Sequence, residues 1–320
     1  MSDWYNRDPI PESARVLISR KYGGLGDLVC IAGAVQSLAR ERPDLNITLQ
    51  SISPLHTILE GCPLYKVVST DPPTDPPTDP PTDPPTGPCL SIAQLTAVKT
   101  EEAEFDVAID MGDMCPAGWA EAMATPTPVI NRLEAFAKSL KVPTAVPIIY
   151  LSEEEKAWAQ KWCIARTGKP NPVALVWRSS TLWKDYAFTP DLAEILRQQG
   201  PLVVIEHEQE VFGTSTLGMT IREQAAIINQ AKLVVTPDTA WLHVAGALQR
   251  PIFGLFGAQD PRFRQAPYKV AGSWIQGHCP HGKMPCWYSV CSPGVYQPCM
   301  KLPVEIVSAS ILHTLENLTS

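Results

Sequence analysis

Asp27, Lys184 and the run Asp238-Thr239-Ala240-Trp241-Leu242-His243 are the residues of this sequence whose types and spacing could do chemistry. Asp27 closes the stretch Gly23-Gly24-Leu25-Gly26. A carboxylate beside glycines lets a substrate come close to the backbone and can act there as a general base; it can equally cap the helix that follows. Arg178 and Lys184 flank small hydroxyl residues in Arg178-Ser179-Ser180-Thr181-Leu182-Trp183-Lys184, a combination suited to a phosphate group. Asp238 and Thr239 are both N-cap types, and the amide groups of a helix opening at Ala240 suit a diphosphate. His243 stands four residues after Thr239, one turn in and on the same face. Near the end stand Cys279, Cys286, Cys291 and Cys299. Four thiolates so close can close a tetrahedral zinc or iron site, or can remain reduced thiols in an irregular loop. The spacing C-x6-C-x4-C-x7-C is not that of a standard zinc ribbon.

The elements that must position these groups can be read from apolar runs and breakers. Strands are expected at 15–19, 46–50, 65–68 and 105–109, with helices at 28–42, 55–59 and 131–141. In the second half, helices are expected at 152–166, 190–199, 220–230, 240–248 and 303–317. Strands are expected at 172–177, 201–205, 233–235 and 252–256. Each candidate then lies just beyond a strand's carboxyl end, where open α/β sheets bind ligands. Glu206, His207 and Glu208 follow another strand, where a carboxylate could hold ribose hydroxyls. Trp158 and Trp162, one helical turn apart, are expected in the core. The final helix is expected to pack across the domain junction. Asp110 and Asp113 are poorly spaced for a metal pair.

The 320 residues suffice for two domains of about 150 residues each. The expected division is 1–145 and 146–320, around a linker at 143–147. Between 70 and 87 the sequence repeats Thr-Asp-Pro-Pro. Proline at that density forbids helix and sheet, so the repeat reads as a tolerated surface insertion. A net charge of −7 gives no basic footprint, and nucleic acid is not indicated as a partner. No apolar run is long enough for a membrane span, and the polar N-terminus lacks a signal-peptide core. A cytoplasmic protein is the expectation, with its nine cysteines as thiols or metal ligands rather than disulfides.

Asp238-Thr239-Ala240-x-x-His243-x-Ala245-x-Ala247-Leu248, followed by Arg250-Pro251-x-x-x-Leu255-Phe256-Gly257-x-x-Asp260-Pro261, resembles the C-terminal signature of glycosyltransferase family 9. Gly23-Gly24-Leu25-Gly26-Asp27-Leu28 resembles that family's first motif. The family usually has Gly at Ala240 and commonly Pro at Gly33. The resemblance covers most of the chain outside 70–87. It implies an α/β fold of GT-B type, with two facing, doubly wound, Rossmann-like domains. It also implies an inverting sugar transfer, heptose by default, from a nucleotide-diphosphate donor such as ADP-heptose to an acceptor hydroxyl; the alternatives are the same fold acting on a protein or other polymer, or a non-catalytic sugar-nucleotide-binding relative. Asp27 would be the base, with Gly24 and Gly26 in the glycine loop. Lys184, and more weakly Arg178, would join Asp238, Thr239, Ala240, His243, Gly24 and Gly26 in binding the donor. No cofactor is implied for catalysis. The cysteine cluster resembles a segment seen in some members, including protein-modifying ones that hold iron, so a structural zinc or iron is the expectation there.

Overall fold

The computed structural model describes residues 10–20, 24–70, 99–100, 103–111, 131–179, 184–205, 213–279 and 298–319. The chain divides into two compact units, Met1–Tyr150 and Leu151–Ser320.

The first unit is built on four parallel strands in the order β3-β2-β1-β6. They are β1 (Arg15–Arg20), β2 (Asn46–Ile52), β3 (Lys66–Thr70) and β6 (Val107–Asp110), with a short antiparallel pair, β4 (Lys99–Thr100) and β5 (Ala103–Glu104), before the last. Val16, Leu17 and Ile18 are buried, as expected of a central parallel strand covered on both faces. Helix α1 (Leu25–Glu41) follows β1, and α2 (Arg132–Leu140) packs against it. Asn131 caps α2 through Glu134 N–H at 2.9 Å. The sequence expectation for 55–59 is refined to a 3-10 turn, Leu55–Leu59.

The segment read as a linker at 143–147 is docked on α1. Gln36 exchanges two hydrogen bonds with the backbone of Ile148 (2.8 and 2.9 Å), and Ser37 donates to the Pro143 carbonyl at 2.8 Å. Gly33 leaves room for this approach, since a Cβ there would come 2.7 Å from the Ala145 carbonyl oxygen. This docking carries the first unit on to Tyr150.

The second unit holds six parallel strands in the order β12-β11-β10-β7-β8-β9. They are β7 (Val173–Val176), β8 (Leu202–Ile205), β9 (Thr214–Ser215), β10 (Leu233–Pro237), β11 (Ile252–Phe256) and β12 (Gly272–Gln276). Chain order runs outward from β7 on one side and from β10 on the other, so the strand order reverses between these two parallel neighbours. Such a switch point opens a crevice at the strands' carboxyl ends. The helices are α3 (Glu153–Thr167), α4 (Thr189–Gln199), α5 (Ile221–Gln230), α6 (Ala240–Ala247), the single turn α7 (Pro261–Arg264) and α8 (Val304–Thr319). Ser152 with Glu155, and Thr220 with Glu223, form capping boxes on α3 and α5.

One expectation is corrected here. Trp158 is exposed and Trp162 half-buried, because α3 turns Ala159 and Cys163 to the core instead. The terminal helix α8 packs on α4 and β12 of its own unit and buries Val307 and Ile311 with Phe253, Leu196 and Met300. No helix among the described residues is long and apolar enough to cross a membrane.

Candidate active site

In the first unit the switch point lies between β1 and β6, where Ser19 is in register with Asp110. Asp27 sits beside the end of β1, but not in a loop. Helix α1 starts at Leu25, with Gly24 as N-cap, so Asp27 occupies the first helical turn and Gly26 is buried within it. The capping role is thereby ruled out: Gly24 offers no side chain, and Asp27 points to other partners. Its Oδ2 accepts from Arg20 at 3.2 Å, and its Oδ1 accepts from Arg132. Arg20, the last residue of β1, also donates to the Met111 carbonyl at 2.6 Å and lies 5.9 Å from the Phe136 ring centre. Burial lowers the Arg20 pKa from its ordinary value, against the raising influence of Asp27. Arg132 is the first residue of α2. Asp27 is thus clamped between guanidiniums from two elements, with about a fifth of its side chain exposed (21%). Neither arginine was legible as functional. Arg20 has a signal in hindsight, a cation closing the strand before the glycines; Arg132 has none.

Asp106 is drawn to Arg15 through three hydrogen bonds of 2.8 to 3.1 Å, and these hold its pKa down at about 2. It is an ion pair at the start of the strand, away from the switch point.

In the second unit the carboxyl ends of β7 and β10 bring the predicted donor residues together. Lys184 Nζ donates to Asp238 Oδ2 at 2.8 Å, across 54 residues of sequence. Arg264 approaches the same oxygen at 3.9 Å and donates to Gln259 at 2.7 Å. Arg264, Gln259 and Asp238 are buried. Two cations therefore gather on one carboxylate at the switch point, a charge balance that favours an added anion.

Helix α6 begins here too. Thr239 is its N-cap in extended conformation, but its side chain makes no cap hydrogen bond. Its hydroxyl lies 3.0 Å from that of Thr236, while Asp238 is taken by Lys184. Thr239, expected to suit a cap, thus turns its hydroxyl elsewhere, and α6 lacks the N-cap side-chain hydrogen bond that α2, α3 and α5 have. Ala240 opens the helix, and His243 stands one turn further, buried, with Nδ1 2.7 Å from the Tyr268 hydroxyl.

Arg178 is exposed after β7. The next residue, Ser179, donates its N–H to Asp185 at 2.6 Å, and burial pushes the Asp185 carboxyl up to about 6 despite that bond and Arg178. Asp185 closes the loop that carries Lys184, a role the sequence did not disclose. Residues 180–183 and Glu206, His207 and Glu208 lie outside the described residues, as do Gly23, Asp113 and the repeat beyond Thr70.

Of the four cysteines, Cys279 and Cys299 are described, and both are buried. Gly277 packs directly on Cys299, since a Cβ there would come 1.8 Å from its carbonyl oxygen. The segments carrying the first and last cysteine are therefore adjacent, which fits a shared site. Cys286 and Cys291 lie outside the described residues, and among the described residues no group of three or more metal-ligating side chains occurs.

Comparison with known proteins supplies the family. The model of glycosyltransferase family 9 (heptosyltransferase) matches residues 119–294, more than half of the chain. Lipopolysaccharide heptosyltransferase 2 of Salmonella typhimurium is 40% identical over 63 residues, which span 19% of this chain and only 18% of that protein. Among solved structures, E. coli ADP-heptose LPS heptosyltransferase II superposes with a TM-score of 0.65 at 13% identity, over 96% of this chain and 100% of that one. The iron-containing dodecameric glycosyltransferase TibC of enterotoxigenic E. coli gives 0.60 at 15% identity, over 96% of this chain and 77% of that one. At such identities the structural likeness speaks for the fold, α/β of the GT-B type, while the sequence match decides membership: the chain belongs to glycosyltransferase family 9.

Proposed function

We propose that this protein transfers a sugar from a nucleotide-diphosphate donor to an acceptor hydroxyl, with heptose carried on ADP as the donor. One observation carries the reading: Lys184, Arg264, Asp238 and the amino end of α6 gather at the switch point of the second sheet. The helix amides and Lys184 would meet the diphosphate, exchanging Lys184 from Asp238 to phosphate oxygen. Arg178 would add a second cation from the same loop. Gly24, the N-cap of α1, and Gly26, in its first turn, would let the donor come close to that helix end.

The proposed chemistry is a single displacement with inversion. The acceptor oxygen bonds to the anomeric carbon while the bond from that carbon to the diphosphate breaks, and the diphosphate leaves with the electron pair. The hydroxyl proton passes to Asp27. Charge growing on the diphosphate is stabilised by fixed dipoles and cations, the contribution expected to dominate. This chemistry needs no cofactor. The four cysteines are proposed to hold one structural zinc or iron; elemental analysis finding neither near one per chain would remove that site. The proposed setting is the cytoplasm, and the acceptor is a saccharide or a protein.

Asp27→Asn tests the mechanism. Transfer should fall by roughly 100- to 10,000-fold, the worth of a general base, while donor affinity stays. A second reading, a sugar-nucleotide-binding protein without turnover, draws on the clamp over Asp27, because two of its lone-pair sites already serve Arg20 and Arg132. Turnover by the unaltered chain that collapses in Asp27→Asn rejects this second reading; turnover equal in both removes Asp27 from the reaction.

A further inference from the structure

We propose that Arg264 is a positioning residue of the donor site: it is the standing counter-ion of Asp238, and so lets Lys184 pass from that carboxylate to a phosphate oxygen when the diphosphate arrives. The proposal rests on the donor-site reading above and deepens it. Lys184 Nζ holds Asp238 Oδ2 at 2.8 Å, and Arg264 Nε lies 3.9 Å from the same oxygen. The shorter contact is a charged hydrogen bond, whereas the longer one acts through charge alone. Moving Lys184 to a ligand takes a cation from a carboxylate whose side chain is only 8% exposed, and a buried charge stripped of a partner is costly. Arg264 offsets that cost, because its positive charge stays beside Oδ2.

The two cations are held differently. Lys184 has 21% of its side chain exposed, and a flexible stem carries its ammonium, so the charge can turn from carboxylate to phosphate. Arg264 has 6% exposed and is fixed from behind. Its guanidinium donates to the Gln259 side-chain oxygen at 2.7 Å. Gln259 is neutral, so it aims the guanidinium without cancelling its charge. The loop that carries Gln259 is tied in turn to β12, where Gln276 donates to the carbonyls of Gly257 (3.3 Å) and Gln259 (3.0 Å). Arg264 itself ends α7, the single turn that Asp260 caps by accepting from Arg262 N–H at 2.9 Å. The carboxyl ends of β10, β11 and β12 therefore set Arg264 against Asp238, while the freer Lys184 comes from the loop after β7.

The test is a cycle of variants on the full chain: the unaltered protein, Arg264→Gln, Asp238→Asn and the double variant, each titrated with ADP in a calorimeter. Arg264→Gln should bind ADP roughly 10-fold more weakly, since Asp238 then keeps Lys184. In the Asp238→Asn background the same replacement should change the affinity by less than about 3-fold, because the carboxylate that Arg264 balances is gone. Arg264→Lys, which keeps the charge, should recover most of the loss. An equal loss in both backgrounds would mean that Arg264 touches the diphosphate itself or only shapes the fold, and it overturns the proposal. So does Arg264→Gln binding ADP as tightly as the unaltered chain, or Arg264→Lys binding as weakly as Arg264→Gln. Urea unfolding of the same proteins reads the pairing without ligand. The midpoint shift caused by Arg264→Gln should shrink in the Asp238→Asn background, and an equal shift in both overturns the pairing. Absence of ADP binding by the unaltered chain would instead count against the donor site, leaving the unfolding cycle to decide whether Arg264 balances Asp238.

Discussion

Asp27 keeps its place in this account with more company than the motif suggested. Arg20 and Arg132 fix both carboxylate oxygens, so an acceptor hydroxyl must use the remaining lone-pair sites or displace one guanidinium. Arg132 comes from a helix more than a hundred residues away, and its removal should loosen the carboxylate without touching the donor residues. Arg132→Ala is expected to lower turnover by roughly 10- to 100-fold, the effect of a misplaced reacting group, with ADP affinity unchanged in calorimetry. Equal turnover would make the clamp a matter of stability only. Asp27 also lies outside residues 119–294, so its role rests on the glycine motif and on this geometry. Lys184 and Asp238 were legible one by one, as residue types after strands; that they pair was not, because a salt bridge across 54 residues leaves no trace in local pattern.

At the scale of elements, α1 and α6 follow the central strands, and in neither does the N-cap residue's own side chain bond the first turn. Strand and helix positions were readable because buried parallel strands are short apolar runs between breakers, as at Leu202–Ile205 and Ile252–Phe256. What escaped was the polar edge: β9 has two residues, and β12, Gly-Ser-Trp-Ile-Gln, is largely exposed and lacks an apolar run. The Trp158 expectation failed for a related reason, since spacing gives a helix face but not which face the sheet covers. The loop between β7 and α4 offers a sharp test. Asp185 has its pKa raised to about 6 by burial. The folded state therefore holds its proton more tightly than the unfolded chain, and stability falls as pH rises from about 4 through about 6. Asp185→Asn retains an acceptor for Ser179 and removes that cost. It should be more stable than the unaltered protein at pH 8 by about 1 to 2 kcal/mol, with the difference vanishing near pH 4. Urea unfolding at the two pH values reads this, and a variant less stable at pH 8 would show that the ionised carboxylate is needed.

Over the whole molecule, the chain is two parallel α/β units, and the second is closed by its last helix. Val307 and Ile311 are fully buried in its core, so Ile311→Ala should cost about 2 to 5 kcal/mol by leaving a cavity. Thermal unfolding in the presence of ADP follows the damage to that unit; an unchanged midpoint would place α8 outside the cooperative core. The central claim, however, concerns the switch point of the second sheet. The most direct test is calorimetric titration of ADP into the full chain and into Lys184→Ala. One saturable site is expected, weakened roughly 10- to 100-fold by the substitution, the worth of a charged hydrogen bond to phosphate. No binding, or equal affinity in the two proteins, would contradict it.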